Sequence, residues 1–217
     1  MYKRQVEFRA KSVIIATGAK PKKLGVKGEE EFVGRGVSYC AVCDGAFYKD
    51  KVVAVVGGGN SAVEEAIYLT KFASKVYIIH RRDELRADKI IQDRAAKNEK
   101  IEFVLNSVVC EIQGHDLVNN LILKNTKTDE MFNLAVDGVF PYIGITPNVE
   151  NISGQITQDK AGFIITDETM KTSIDGVFAI GDVRNTPLRQ VITAASDGAI
   201  AGVYAVKYIE SLKEITV

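Results

Sequence analysis

Apolar residues fall along the chain in two rhythms. The first is a series of short continuous runs: Ser12-Val13-Ile14-Ile15-Ala16, closed by Thr17-Gly18 and Pro21, then residues 51–56, then Val76-Tyr77-Ile78-Ile79. Runs of that length bounded by turn residues predict buried strands. Residues 60–71 instead place Ala62, Val63, Ala66, Ile67 and Leu69 on one helical face, and residues 84–98 predict a second helix. A strand over 101–105 completes strand–helix–strand–helix–strand, which predicts a parallel βαβ arrangement. The period then changes. Residues 108–113, 117–124 and 131–136 read as strands separated by Gly114-His115-Asp116 and by 125–129, an antiparallel meander laid onto the α/β unit. Residues 138–142 follow, and 144–148 read as the exit from that domain. Beyond lie short strands over 163–166 and 177–180 and a closing helix from about Gln190 to Ser211. The polar, glycine-rich stretch 22–36 reads as a connection.

Composition narrows the class. The 217 residues hold one large domain or two small ones, and 46% apolar with 26% charged residues is ordinary for a globular protein. Lys plus Arg equals Asp plus Glu at 28 each, so nothing favours nucleic acid or an anionic membrane. No apolar run approaches a membrane span, and the first residues do not read as a signal peptide. Three cysteines, two of them in a C-x-x-C, argue against a structural disulfide framework and for a reducing, cytosolic compartment.

Two devices stand almost back to back. Val52-Val53-Ala54-Val55-Val56 runs into Gly57-Gly58-Gly59-Asn60-Ser61-Ala62, an apolar strand ending in a glycine turn that opens a helix. Gly57 permits the tight turn, Gly59 lets the backbone approach a phosphate, and Ala62 allows close helix–strand packing. The helix start directs N–H groups and dipole at the anion. The bland alternative is a glycine-rich turn with no ligand, but the flanking strand and helix supply the context of a dinucleotide site. At the end of the next strand an NAD site would carry an acid. Here His80-Arg81-Arg82, with Arg86 a turn later, is suited to the 2′-phosphate of NADPH rather than to ribose hydroxyls. A merely solvated basic surface is the competing reading.

The second device is Cys40-Ala41-Val42-Cys43 followed by Asp44. Zinc would need four ligands, and Cys110, His80 and His115 are scattered over other elements. A redox pair needs one accessible thiolate, a resolving partner and a nearby proton donor, for which Asp44 is a candidate; a helix-start or turn residue is the alternative for Asp44. Cys110, within Val108-Val109-Cys110-Glu111-Ile112, reads as a small packing residue.

With these motifs in family order, the chain resembles the low-molecular-weight, bacterial-type thioredoxin reductases. The shared residues are Cys40 to Gly45, Gly57 to Ala66, and His80-Arg81-Arg82 with Arg86. Flanking them are Ile15-Ala16-Thr17-Gly18-Ala19, the segment Thr172 to Asp182, and Arg189-Gln190-Val191. The resemblance implies an NADPH-binding domain (23–147) carrying the dithiol, inserted in an FAD-binding domain of the same type (1–22 and 148–217). Electrons would pass from NADPH to FAD to Cys40–Cys43 to thioredoxin. It implies Cys43 facing the flavin and Cys40 attacking the partner's disulfide. NADPH contacts are implied at Gly57, Gly59, Asn60, Ser61, Ala62, His80, Arg81, Arg82 and Arg86. FAD contacts are implied at Ala16, Thr17, Gly18, Gly181, Asp182, Arg189, Gln190 and Val191. A homodimer, and a domain rotation hinged near 20–24 and 146–150, are implied as well.

One departure qualifies this. The family opens with its own strand–Gly-x-Gly-x-x-Gly–helix for the FAD pyrophosphate, and nothing in residues 1–11 can play that part. The FAD-binding domain is therefore expected to be incomplete, flavin binding impaired, and an apolar sheet edge exposed and prone to association. The opening Met1-Tyr2-Lys3-Arg4-Gln5 reads as a translated sequencing-adapter end, hence a gene fragment. Two rivals share most features: the electron-donating flavoprotein of a peroxide-reducing system, and a flavin-free NADPH-binding dithiol module. Flavin reductases acting on ferredoxin lack the dithiol.

Overall fold

The structure, a computed structural model, describes residues 8–152 and 154–214, so the adapter reading of Met1–Gln5 lies outside the described residues. The elements in chain order are β1 (Val13–Ile15), β2 (Ala19–Pro21), α1 (Ala41–Asp44), β3 (Val52–Val56), α2 (Asn60–Leu69), β4 (Lys75–Ile79), α3 (Lys89–Ala96), β5 (Ile101–Val104), β6 (Ser107–Gly114), β7 (Val118–Asn125), β8 (Met131–Ala135), β9 (Gly138–Pro141), β10 (Ile145–Pro147), β11 (Val177–Ala179) and α4 (Val191–Glu214). They form two compact units, one from Pro21–Gly144 and one from the described residues on either side of it.

The Pro21–Gly144 unit has three layers. Its parallel sheet runs β5-β4-β3-β9, and β9 enters only after the meander, pairing Val53 with Gly138 and Val56 with Pro141. Alternation along β3 sorts the side chains between two cores. Val53 and Val55 pack with Ala62, Val63, Ala66 and Leu69 of α2, and with Ile91 and Ala95 of α3. Ala54 and Val56 face the antiparallel sheet β6-β7-β8, through Val109, Ile112, Leu121 and Leu123. With both faces covered, β3 reads as an unbroken apolar run, as parallel central strands do.

The connection over 22–36 is organised by a buried acid. Glu29, 1% exposed, accepts hydrogen bonds from the N–H of Leu24 (2.9 Å) and Gly25 (2.7 Å) and from the hydroxyl of Tyr39 (2.9 Å). Burial, then Glu29 itself, raises the Tyr39 pKa, so the phenol stays a donor across the physiological range. Glu29→Ala strands three donors, and the expected loss is about 3 kcal/mol at roughly 1 kcal/mol per bond. Urea unfolding checks this: a lowered midpoint at unchanged slope is expected.

Three expectations are corrected. The helix predicted over 84–98 begins only at Lys89, because the N–H groups of Arg86 and Ala87 are taken by the carbonyl of Gly58 (2.6 and 3.0 Å). The helix predicted to Lys71 ends at Leu69, where the chain tightens and Lys71 N–H bonds the carbonyl of Tyr68. Residues 163–166 make no strand: Ile164 N–H bonds Val183 and Ile165 N–H bonds Thr157, so successive residues serve different partners and only isolated bridges result. The dithiol segment, for which no element was predicted, forms α1 and a 3-10 turn over Gly45–Tyr48.

In the other unit β1 pairs in parallel with β11, and β2 neighbours β10. Ile15, Ile156, Ile164, Ala179 and Val183 form one core, while Met170 and Phe178 pack with Ala201 and Ala205 of α4. The apolar edge expected from the sequence is present at Val13 and Ile14 of β1, both exposed. Among the described residues no helix is long and apolar enough to cross a membrane.

Candidate functional site

Cys40 and Cys43 are joined as a disulfide, S–S 2.06 Å and Cα–Cα 5.3 Å, with Cys40 at the N-cap of α1 and Cys43 inside it. The C-x-x-C spacing does this locally, since one helical turn brings the two side chains together. Cys43 is exposed and Cys40 half-buried; Cys40 Sγ accepts a hydrogen bond from the Cys43 N–H at 3.2 Å. Ala41 between them is fully buried in the core shared with Ala62 and Val63, which seats the redox turn against α2. Val42 and Phe47 stay exposed beside it.

Asp44 is half-buried, and its Oδ2 accepts a 2.6 Å hydrogen bond from Ser38 Oγ. The same Ser38 oxygen accepts from the Cys40 N–H at 3.2 Å, so one hydroxyl links the acid to the first cysteine. Tyr142, at the end of β9, accepts from the Ala41 N–H through Oη (2.8 Å), and burial pushes its pKa up to about 12. Ser38 and Tyr142 escaped the sequence reading. Tyr142 lies about a hundred positions from Ala41, and only the insertion of β9 beside β3 brings it near.

The glycine turn sits where β3 meets α2. Gly57 has φ 157°, and a Cβ there would come within 2.4 Å of the Tyr142 carbonyl oxygen, so that position admits only glycine. A Cβ on Gly59 would meet nothing within 4 Å, which leaves that backbone face open. Gly59 is the N-cap of α2 and supplies no capping side chain, so the first-turn N–H groups near Ser61 and Ala62 receive no cap from it. Asn60 opens the helix, but its amide is engaged at both ends by Asp88. Beyond β4, Arg81, Arg82 and Arg86 are exposed, and among the described residues none has an acidic ion-pair partner; Asp83 pairs with Lys127 instead. His80 differs from them. It is 5% exposed, its ring lies where a Gly58 Cβ would stand, and its Nε2 has no hydrogen-bond partner. Burial first, then Arg86, Arg81 and Arg82, lower its pKa and hold it neutral. An open glycine turn, an uncapped helix start and three guanidiniums without acid partners fit a phosphorylated dinucleotide.

In the other unit, Thr17 and Asn148 are cross-bonded: Thr17 Oγ1 donates to the Asn148 carbonyl (2.6 Å) and Asn148 Nδ2 to the Thr17 carbonyl (2.9 Å). Ala16 is exposed, and Gly18 adopts φ 70° with open space at its Cβ position. Gly181 and Asp182 lie in a 3-10 turn, held by buried Asp197, which accepts from Gly181 N–H (3.0 Å) and pairs with Arg184 (3.2 Å). Asp182 is half-buried, and its carboxylate makes no hydrogen bond or ion pair among the described residues. The Arg189 guanidinium lies 4.2 Å over the Phe163 ring with its buried Nε unpartnered. Gln190 N–H is taken by Thr193 Oγ1, and Val191, the first residue of α4, is 86% exposed. An unpaired carboxylate, an orphaned buried N–H and a bare helix start fit a polar group such as FAD presents.

The family described as pyridine nucleotide-disulphide oxidoreductase matches residues 2–198. Thioredoxin reductase of Peptoclostridium acidaminophilum is 53% identical over 213 residues, covering 95% of this chain and 68% of the relative. That of Listeria monocytogenes is 53% identical over 208 residues, covering 95% and 65%. The crystal structure of thioredoxin reductase from Streptococcus pyogenes superposes with a TM-score of 0.85 at 57% identity, covering 92% of this chain and 66% of that one. The chain thus spans about two thirds of the length of these relatives.

Proposed function

Since this chain belongs to the pyridine nucleotide-disulphide oxidoreductase family, and within it to the thioredoxin reductases, we propose that it serves NADPH-dependent reduction of a thioredoxin disulfide, with FAD as the intermediate carrier. The observation that carries this reading is that one compact unit holds both the Cys40–Cys43 disulfide and the open glycine turn with its unpaired arginines. The Pro21–Gly144 unit is then the NADPH-binding domain, and the other unit carries the FAD contacts at Ala16, Thr17, Gly18, Gly181, Asp182, Arg189, Gln190 and Val191.

When bound, FAD accepts a hydride from NADPH and delivers two electrons to a disulfide. The chain's own part is to hold the dinucleotide and to run the thiol chemistry. Reduction of Cys40–Cys43 gives two thiols. The Cys40 thiolate attacks one sulfur of the thioredoxin disulfide, forming a mixed disulfide and expelling the other sulfur, which takes a proton. The Cys43 thiolate then attacks the Cys40 sulfur, re-forming the internal bond and releasing reduced thioredoxin. Asp44, steadied by the Ser38 hydroxyl, is placed to hold and pass the protons these steps require. Three cysteines, two of them in the redox pair, support a reducing, cytosolic setting. A homodimer is the assembly this reading carries over from the family.

The test is NADPH consumption by the chain supplied with FAD and oxidised thioredoxin. Consumption that depends on both, and that needs FAD in excess as impaired flavin binding requires, is expected. NADP+ binding without thioredoxin-dependent consumption would leave only a dinucleotide-binding dithiol module.

A further inference from the structure

The glycine turn and the basic segment are the two anion-binding halves of the proposed NADPH site, and the chain ties them together through residues outside both. The Gly58 carbonyl takes the N–H groups of Arg86 and Ala87 (2.6 and 3.0 Å), while the His80 ring fills the space under Gly58. One residue further, Asn60 and Asp88 bond in both directions: Asn60 Nδ2 donates to Asp88 Oδ2 and Asp88 N–H donates to Asn60 Oδ1, each at 2.8 Å. Asp88 is the N-cap of α3, a position where an aspartate ordinarily accepts from its own helix. Here its side chain makes no capping bond and is spent on Asn60 instead. The carboxylate therefore forgoes its local role to join two helix starts.

We infer that Asp88 is a positioning residue for the 2′-phosphate. Bonded to Asn60, it fixes the distance between the turn that receives the pyrophosphate and the guanidiniums of Arg81, Arg82 and Arg86, so preference for a 2′-phosphorylated dinucleotide depends on a side chain engaged with protein. The inference rests on the NADPH reading above and adds to it a residue outside the binding motifs. Charge alone predicts the opposite sign. A carboxylate near the arginines repels a phosphate, so deleting that charge without the brace mattering would tighten binding.

The experiment is titration of the full chain with NADP+ and, separately, with NAD+. Asp88→Ser removes the carboxylate half of the link, because a serine hydroxyl is too short to reach Asn60 Nδ2, and leaves only the bond from the backbone N–H of residue 88 to Asn60 Oδ1; serine is itself a strong N-cap and preserves α3. Asp88→Asn removes the charge and keeps an acceptor for Asn60 Nδ2. Expected is a loss of about three- to tenfold in NADP+ affinity for Asp88→Ser, the scale of one ordinary hydrogen bond. NAD+ affinity should change less, and Asp88→Asn should bind NADP+ as tightly as the parent or more so. Circular dichroism and the melting temperature verify that Asp88→Ser is folded; should it not be, Asp88→Thr, another N-cap residue too short to reach Asn60 Nδ2, is read in its place. An unchanged or raised NADP+ preference in Asp88→Ser, or equal losses in the serine and asparagine variants, overturns the inference while the NADPH reading stands. A parent chain that shows no preference for NADP+ overturns both.

Discussion

Cys43→Ser is expected to abolish thioredoxin turnover and to leave Cys40 free to form a mixed disulfide that nothing resolves. The chain should then accumulate as a covalent adduct with thioredoxin, visible as a band of summed mass on non-reducing gels and dispersed by dithiothreitol. Cys40→Ser should abolish turnover too, but without the adduct. The asymmetry follows from the proposed order of attack, in which the second thiolate is needed only to release the partner. An adduct formed by Cys40→Ser and absent from Cys43→Ser would reverse the roles. That comparison is sharp because Cys43 is the more exposed sulfur in the disulfide form and Cys40 the half-buried one. Neither serine should disturb the fold, since the spacing partner Ala41, not the sulfurs, is what is buried in the core.

The second large effect concerns the choice of dinucleotide. Arg81→Ala with Arg82→Ala removes two exposed guanidiniums that have no protein carboxylate to neutralise them. Each charge-assisted contact to a phosphate contributes on the order of 1.5–3 kcal/mol, so the pair should weaken NADPH binding about a hundredfold or more. NADH binding should be little changed, because it offers no phosphate at that position. The readout is the ratio of kcat/KM for the two dinucleotides, or the ratio of their dissociation constants. Because the groups are solvent-exposed, rising salt should erode the parent's preference for NADPH and leave the double variant flat.

How much of this was legible in the sequence depends on whether the determining bonds are local. Val52 to Val56 and the glycine turn were readable because the five apolar residues and the crowding of Gly57 by Ala62, five positions on, are carried within a dozen positions. The dithiol was readable for the same reason. The start of α3 was not. Ala87, Ile91 and Ala95 keep a helical spacing, but the chain before Lys89 is captured by the Gly58 carbonyl, a competitor nearly thirty residues away. Phe163-Ile164-Ile165 has the composition of a strand and fails to become one because its neighbours alternate between Thr157 and Val183. Ser38 had a visible clue, a hydroxyl two positions before Cys40. Tyr142 and Asp197 had none, since their roles exist only once β9 and α4 are docked. Neither the place of Asp88 at the start of α3 nor its allegiance to Asn60 was readable.

The strand order β5-β4-β3-β9 also bears on how the chain is made. β3 leaves the ribosome with one edge matched by β4 soon afterwards, but its other edge waits for β9, which follows about 80 residues later; at about 5–20 residues per second that is a wait of roughly 4–16 s. Through that interval the row of N–H and C=O groups from Val53 to Val56 faces solvent unpaired, on a strand that is almost wholly apolar. A nascent chain of this kind offers a holding chaperone a defined site and a defined dwell time. Codon choice across residues 57–137 would set its length.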